Sequence, residues 1–162
     1  MIPDRVKPTP ADVVKDIAAI VLAVLFLFSC RIGIVSGNSM SPTLGDGDYV
    51  VYSSITFCGL RSGDIIVFDN KDCGALIKRV IGCPGDVISI KGGVVYLNGG
   101  KLTEDYTAPG LFSPGDIEYP LHIPSGCYFV MGDNRKESRD SRMRCVGLVS
   151  DGQILGVVRC VL

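Results

Sequence analysis

The chain has 162 residues, enough for one domain with its own core and too few for two large ones. Sixteen Lys and Arg against 17 Asp and Glu leave a net charge of -1, which excludes the basic footprint of a nucleic-acid-binding protein. Twenty glycines and nine prolines, among many Val and Ile, point to short strands joined by tight turns.

The N-terminus predicts a helix. In "TPAD" at 9–12, Thr9 suits the N-cap, Pro10 the first helical position and Asp12 a bond reaching back to the cap. Residues 17–30 carry no charge, and continuing to Val35 makes 19 residues, about 28 Å as a helix and close to the hydrocarbon thickness of a bilayer. Arg31 interrupts that stretch near its end, where a long side chain reaches the headgroups. Arg5, Lys7 and Lys15 precede the span and favour a cytoplasmic N-terminus. The expected organisation is a cytoplasmic tail over 1–12, a single transmembrane anchor over 13–35 and an extracytoplasmic β-rich domain over 36–162. A cleaved leader would need a small-residue site that does not follow, and "LFSC" at 27–30 has bulky Phe28 where a lipoprotein site needs a small residue. A buried core helix fits poorly with apolar character all round.

Beyond the span, "GNSMSPTL" at 37–44 puts Ser39 on a loop of small polar and flexible residues. Short alternations punctuated by glycine follow, predicting strands over 48–54, 64–69, 75–81, 86–90, 94–99, 127–133 and 152–162. "LGDGD", "RSGD", "CPGD", "KGG" and "NGG" supply the turns. Segment 101–126, with Pro109, Pro114, Pro120 and Pro124, is expected as an irregular surface excursion. The fold class is mainly β: a compact, partly closed barrel or packed-sheet domain behind one N-terminal transmembrane helix.

Seven cysteines include no C-x-x-C pair, and with His122 as the only histidine there is no zinc-ligand cluster. Cys58 and Cys73 are placed to bridge a local hairpin in an oxidising compartment, but seven half-buried thiols are the favoured reading. Ser39 needs a base to attack anything, since a free hydroxyl is nearly un-ionised at neutral pH. His122 lies amid the prolines and reads as a surface or packing residue. Lysine can serve when its amine is desolvated. Of seven lysines, Lys78 in "ALIKRVI" fits best, sharing a strand face with Leu76 and Val80 while Arg79 shares the other with Ile77 and Ile81. The competing reading is a protective lysine on an exposed edge strand.

Four blocks in this order, "GNSMSPTL", "RSGDIIVF", "KRVIGCPGD" and "GDNRKESRDSR", resemble the type I signal peptidases over nearly the whole chain. The resemblance implies Ser39 as nucleophile and Lys78 as general base, the bacterial Ser–Lys type. It implies that the Ser138 hydroxyl helps hold the lysine amine, that Asp140 and Arg142 brace the site by charge pairing, and that Gly132, Asp133 and Asn134 form its framework. Some members carry a serine two positions before the nucleophile; Gly37 stands there, leaving the Ser39 backbone N–H as the principal expected oxyanion donor. By themselves, the interleaved charges of 133–144 favour internal pairing over a phosphate-binding stripe.

The function so implied is removal of signal peptides from exported preproteins, with cleavage after small residues. No metal or organic cofactor is needed, and the expected partners are signal-peptide-bearing preproteins and the lipid bilayer, with no nucleic acid. The enzyme is expected as a monomer, and Met40 with other apolar residues near the anchor as a surface at the lipid interface. The alternatives are a specialised Ser–Lys peptidase for pilins or another narrow substrate set, and an inactive anchored binding module.

Overall fold

The structure, a computed structural model, describes residues 9–54 and 59–162, and the side chains of all of these but 25–29. The expectations that rest on Arg5, Lys7 and Cys58 lie outside the described residues.

Helix α1, Pro10–Ser29, opens as its residues dictate. Thr9 Oγ1 donates to Asp12 Oδ2 at 2.7 Å and accepts the Asp12 N–H at 3.3 Å, so the cap and its reciprocal bond are both made. The single helix expected over 13–35 is corrected, because strand β1 begins at Cys30 and runs to Ile34. Every residue of β1 finds a partner on β2 (Tyr49–Ser53), from Cys30 opposite Ser53 to Ile34 opposite Tyr49. At the other end Asp12, Lys15 and Asp16 dilute the apolar run. No helix among the described residues is long and apolar enough to cross a membrane. The apolar side chains of α1 between Val13 and Val24 are exposed.

The remaining strands are β3 (Ile65–Asn70), β4 (Gly74–Gly82), β5 (Val87–Lys91), β6 (Val94–Leu97), β7 (Gly100–Lys101), β8 (Leu121–His122), β9 (Cys127–Met131), β10 (Val149–Ser150) and β11 (Ile154–Val161). The seven strands expected from alternation are β2 to β6, β9 and β11, with ends moved by one or two residues. β7, β8 and β10 are two residues each and too short to carry a pattern. β1 was masked by its apolar neighbours.

Two antiparallel sheets result, one ordered β1-β2-β11-β3-β4-β9-β10 and one ordered β7-β6-β5-β8. Of the two expected forms, packed sheets are what forms, and the partly closed barrel is corrected: the sheets stay open. β1 and β10 are the two ends of the larger sheet, and β10 offers only Val149 and Ser150 to its neighbour, too little ladder to carry the sheet round. Ile81, Phe129 and Met131 of the larger sheet pack with Ile88, Ile90 and Val95 of the smaller in one core cluster. On the other side of the larger sheet, Ile66, Phe68, Val80, Val130 and Val157 form a second cluster.

β4 therefore has cover on both faces, and from Lys78 to Gly82 every residue is buried. A third cluster, Val35, Met40, Leu44 and Val50, lies beneath the loop that carries Ser39. Met40 is only 1% exposed, so it does not belong to a lipid-facing surface. The exposed apolar residues of this end are instead Ile32, Ile34, Tyr49, Val161 and Leu162.

Candidate active site

Ser39 leads a compact turn pinned from within and from across the molecule. Leu44 N–H donates to Met40 O at 2.9 Å, and the burial of both side chains seats the turn on the core. Gly37, at φ 86°, takes a conformation that favours glycine, and its N–H donates to Asp46 Oδ1 at 2.7 Å. Asn134 N–H donates to Ser39 O at 3.0 Å, and Asn134 Nδ2 to Asn38 O at 3.1 Å. The Ser39 N–H itself meets no acceptor among the described residues.

Lys78 arrives from the middle of β4, 39 residues further along the chain. Its Nζ donates to Ser39 Oγ at 2.8 Å and to Ile77 O at 2.7 Å. The residue is 3% exposed, which answers the edge-strand alternative, since β3 and β9 flank β4 on either side. Burial pushes the ammonium pKa down from 10.5 to about 8, against the opposing charges of Asp140 and Asp133. At pH 7 a group of that pKa is neutral in about one molecule in ten, roughly 300 times the fraction of an ordinary lysine. A neutral amine has one lone pair. With one N–H held by Ile77 O, that lone pair can face the Ser39 hydroxyl.

The last sequence block closes the site. Asp140 is fully buried and takes Arg142 Nε at 2.7 Å and Nη2 at 2.8 Å, the paired bonds expected of a brace. Gly132 N–H donates to Asp140 Oδ2 at 3.0 Å. A Cβ on Gly132 would stand 2.3 Å from Ser138 Oγ and 2.4 Å from Ser39 O, so only glycine fits between the two serines. Ser138 Oγ is buried and, among the described residues, has no hydrogen-bond partner. The structure thus differs from the implied Ser138–Lys78 contact: the bonds of the amine go to Ser39 and Ile77.

The expectation of internal pairing within 133–144 holds for Asp140 and Arg142 alone. Asp133 instead receives Arg79 Nε at 2.8 Å and Nη2 at 2.6 Å, and Arg135 pairs with Glu104. His122 is exposed on the second sheet opposite Val87. The six described cysteines are free thiols. A shallow groove of about 230 Å³ passes Ser39, lined by Ser36, Gly37, Asn38, Leu76, Glu137 and Arg139. A roomier cleft of about 350 Å³ lies against β6 and β7, beyond Glu104 and Arg135. It holds neither Ser39 nor Lys78.

The sequence model of the family described as "Signal peptidase, peptidase S26" matches residues 11–162. This chain belongs to the S26 signal peptidases.

Among relatives of the S26 chain, signal peptidase I of Bacillus licheniformis is 39% identical over 159 residues, covering 90% of this chain and 83% of its own. Signal peptidase IB of Staphylococcus aureus (strain N315) is 35% identical over 159 residues, covering 88% and 82%. The crystal structure of a signal peptidase I from Enterococcus faecalis V583 superposes with a TM-score of 0.54 at 31% identity, covering 64% of this chain and all of that one.

Sequence reasoning about this S26 site missed Arg79, Thr43, Glu104, Tyr106 and Arg135. Arg79 carried a signal: a cation on a strand face with Ile77 and Ile81 needs a buried acid to meet it. Thr43 Oγ1 donates to Asp133 Oδ2, four residues after Ser39. Nothing in its local sequence marks it.

Proposed function

We propose that this signal peptidase is a membrane-attached serine endopeptidase that removes N-terminal signal peptides from exported preproteins, with Ser39 as nucleophile and Lys78 as general base. The observation that carries the reading is the 2.8 Å bond between a desolvated amine and the loop serine.

Neutral Lys78 takes the Ser39 proton as Oγ attacks the carbonyl carbon of the scissile bond. The ammonium then passes that proton to the departing amine, leaving an acyl-enzyme. Water, deprotonated by the same amine, attacks the ester and frees the new carboxylate while Ser39 regains its proton. The Ser39 N–H, open to an acceptor, is the donor for the oxyanion at each tetrahedral stage.

Specificity for small residues follows from depth. The groove is shallow, and Met40 and Leu44 close the space beneath the nucleophile's turn. A large side chain beside the cut would have to displace packed core atoms.

Attachment follows from surface chemistry. Ile34 and Tyr49 are cross-strand partners, Leu162 N–H donates to Tyr49 O at 2.8 Å, and all three side chains are exposed at the end of β1 that leads into the Ser39 loop, opposite the end that α1 enters. An apolar helix before β1 and an exposed apolar rim beside the Ser39 loop suit a lipid surface. The reading places this domain on the extracytoplasmic side, where signal peptides end at the bilayer.

The test is the purified full chain in detergent with a preprotein, the products sequenced. Wild type should cut once, after a small residue, while Ser39→Ala and Lys78→Met stay folded and idle. Retained cutting by Lys78→Met would overturn the base, and absence of any cut the substrate assignment. Protease accessibility of the domain in right-side-out vesicles tests its location.

A further inference from the structure

The irregular surface stretch over 101–126 is tied down along part of its length. Residues 104–108 run against the backbone that holds Ser39 in place. Ala108 N–H donates to Asp133 O at 3.1 Å. Arg135 Nε donates to Gly132 O at 2.9 Å, and its Nη1 donates to Glu104 Oε2 at 3.0 Å while Nη2 donates to Glu104 Oε1. Tyr106 Oη donates to Glu104 Oε1 at 3.0 Å, and its ring lies 4.1 Å from the guanidinium carbon of Arg79.

From this strap the constraint reaches the reacting atoms by two short routes. Arg79 grips Asp133, Asp133 accepts Thr43, and Thr43 belongs to the nucleophile's turn. In parallel, Arg135 fixes Gly132 O, and Asn134, two residues on, bonds Ser39 O. Arg79, Asp133 and Arg135 are all buried, so the network is complete only with the Glu104 carboxylate.

We propose that Glu104 and Tyr106 are positioning residues that hold Arg79 and Arg135 against the 132–134 backbone and thereby hold Ser39 within bonding distance of Lys78. The inference rests on Ser39 and Lys78 being the reacting pair, and on no particular substrate. Neither strap residue touches the reacting atoms. Without the ring beneath Arg79, or the carboxylate across Arg135, the backbone at 132–134 is free to shift, and the serine's turn shifts with it. A misplacement of about 1 Å costs roughly a hundredfold in rate.

The experiment uses the full chain in detergent with two readouts: acylation of Ser39 by a small activated ester, followed by intact mass, and kcat and KM on a preprotein. Thermal melts give the folded fraction, so that rates are expressed per folded molecule. Tyr106→Leu, which keeps bulk but no π face, should slow acylation about tenfold or more and lower kcat in proportion, with KM unchanged. Tyr106→Phe should recover most of that loss, and Glu104→Gln should fall between. Wild-type acylation per folded Tyr106→Leu molecule overturns the proposal, as does a rise in KM alone. If wild-type Ser39 reacts with the ester but no preprotein is cut, the substrate reading fails and the variant series still decides this one. If wild-type Ser39 does not react, both fall.

Discussion

Lys78 Nζ lies 2.8 Å from Ser39 Oγ, and its other bond goes to the carbonyl of Ile77, its neighbour in the chain. The amine is thus aimed by its own strand rather than by a distant partner. Since its pKa is held near 8 by burial, the acylation rate should climb about tenfold per pH unit below that value and level off above it. A single-turnover pH profile with a small ester checks this. A limb that keeps rising to pH 10 would mean an ordinary, hydrated lysine.

The same lowered pKa makes a statement about stability. Unfolded, Lys78 binds its proton up to about pH 10.5; folded, only up to about 8. Below pH 8 the folded state must carry a buried ammonium, a cost of about 3 kcal/mol that is relieved as pH rises from 8 to 10.5. Lys78→Met, similar in shape, should therefore raise the melting temperature at pH 7, and most of its advantage should be gone by pH 10. Calorimetry at both values measures it, and a variant less stable at pH 7 would contradict the cost.

Gly132→Ala tests the gap between the two serines. The added Cβ meets Ser138 Oγ at 2.3 Å and Ser39 O at 2.4 Å, and the second of these is backbone. Activity should fall about a hundredfold in a protein that still melts cooperatively. Adding Ser138→Ala should fail to rescue it, because the carbonyl clash remains. Rescue would locate the problem in the side chain alone.

Asp133 and Arg79 form a buried pair, and removing one partner strands the other's charge. Asp133→Leu should cost about 3–5 kcal/mol in urea unfolding, more than the double variant Arg79→Met/Asp133→Leu. Equal costs would show that water reaches the guanidinium.

Part of the candidate site is legible in the sequence. Lys78 was singled out because its neighbours two residues away on either side are apolar, and a strand's period of two puts all three on one face. The partners of Arg79 and Arg135 were not legible. Asp133 lies 54 residues from Arg79, and Glu104 lies 31 from Arg135 inside a proline-rich stretch without periodicity. A charge that looks solvated in a loop is told from a buried one only by what folds over it. The helix end was misjudged for a related reason: "CRIGI" is apolar enough to extend α1, and only the complementary edge of β2 turns it into a strand.

What the chain's own order of residues settled was local: the capped start of α1, the alternation of seven strands, the glycine turns, and the apolar strand face that Lys78 shares. These depend on torsional preference and on side-chain direction within a few residues. Tertiary structure alone decided that β11, the last strand, inserts between β2 and β3, that the sheets stay open, that Ser39 meets Lys78, and that residues 104–108 close over the backbone that holds Ser39. Such pairings are selected by the burial and hydrogen bonding of the whole assembly, a free energy to which segments far apart in the chain contribute jointly.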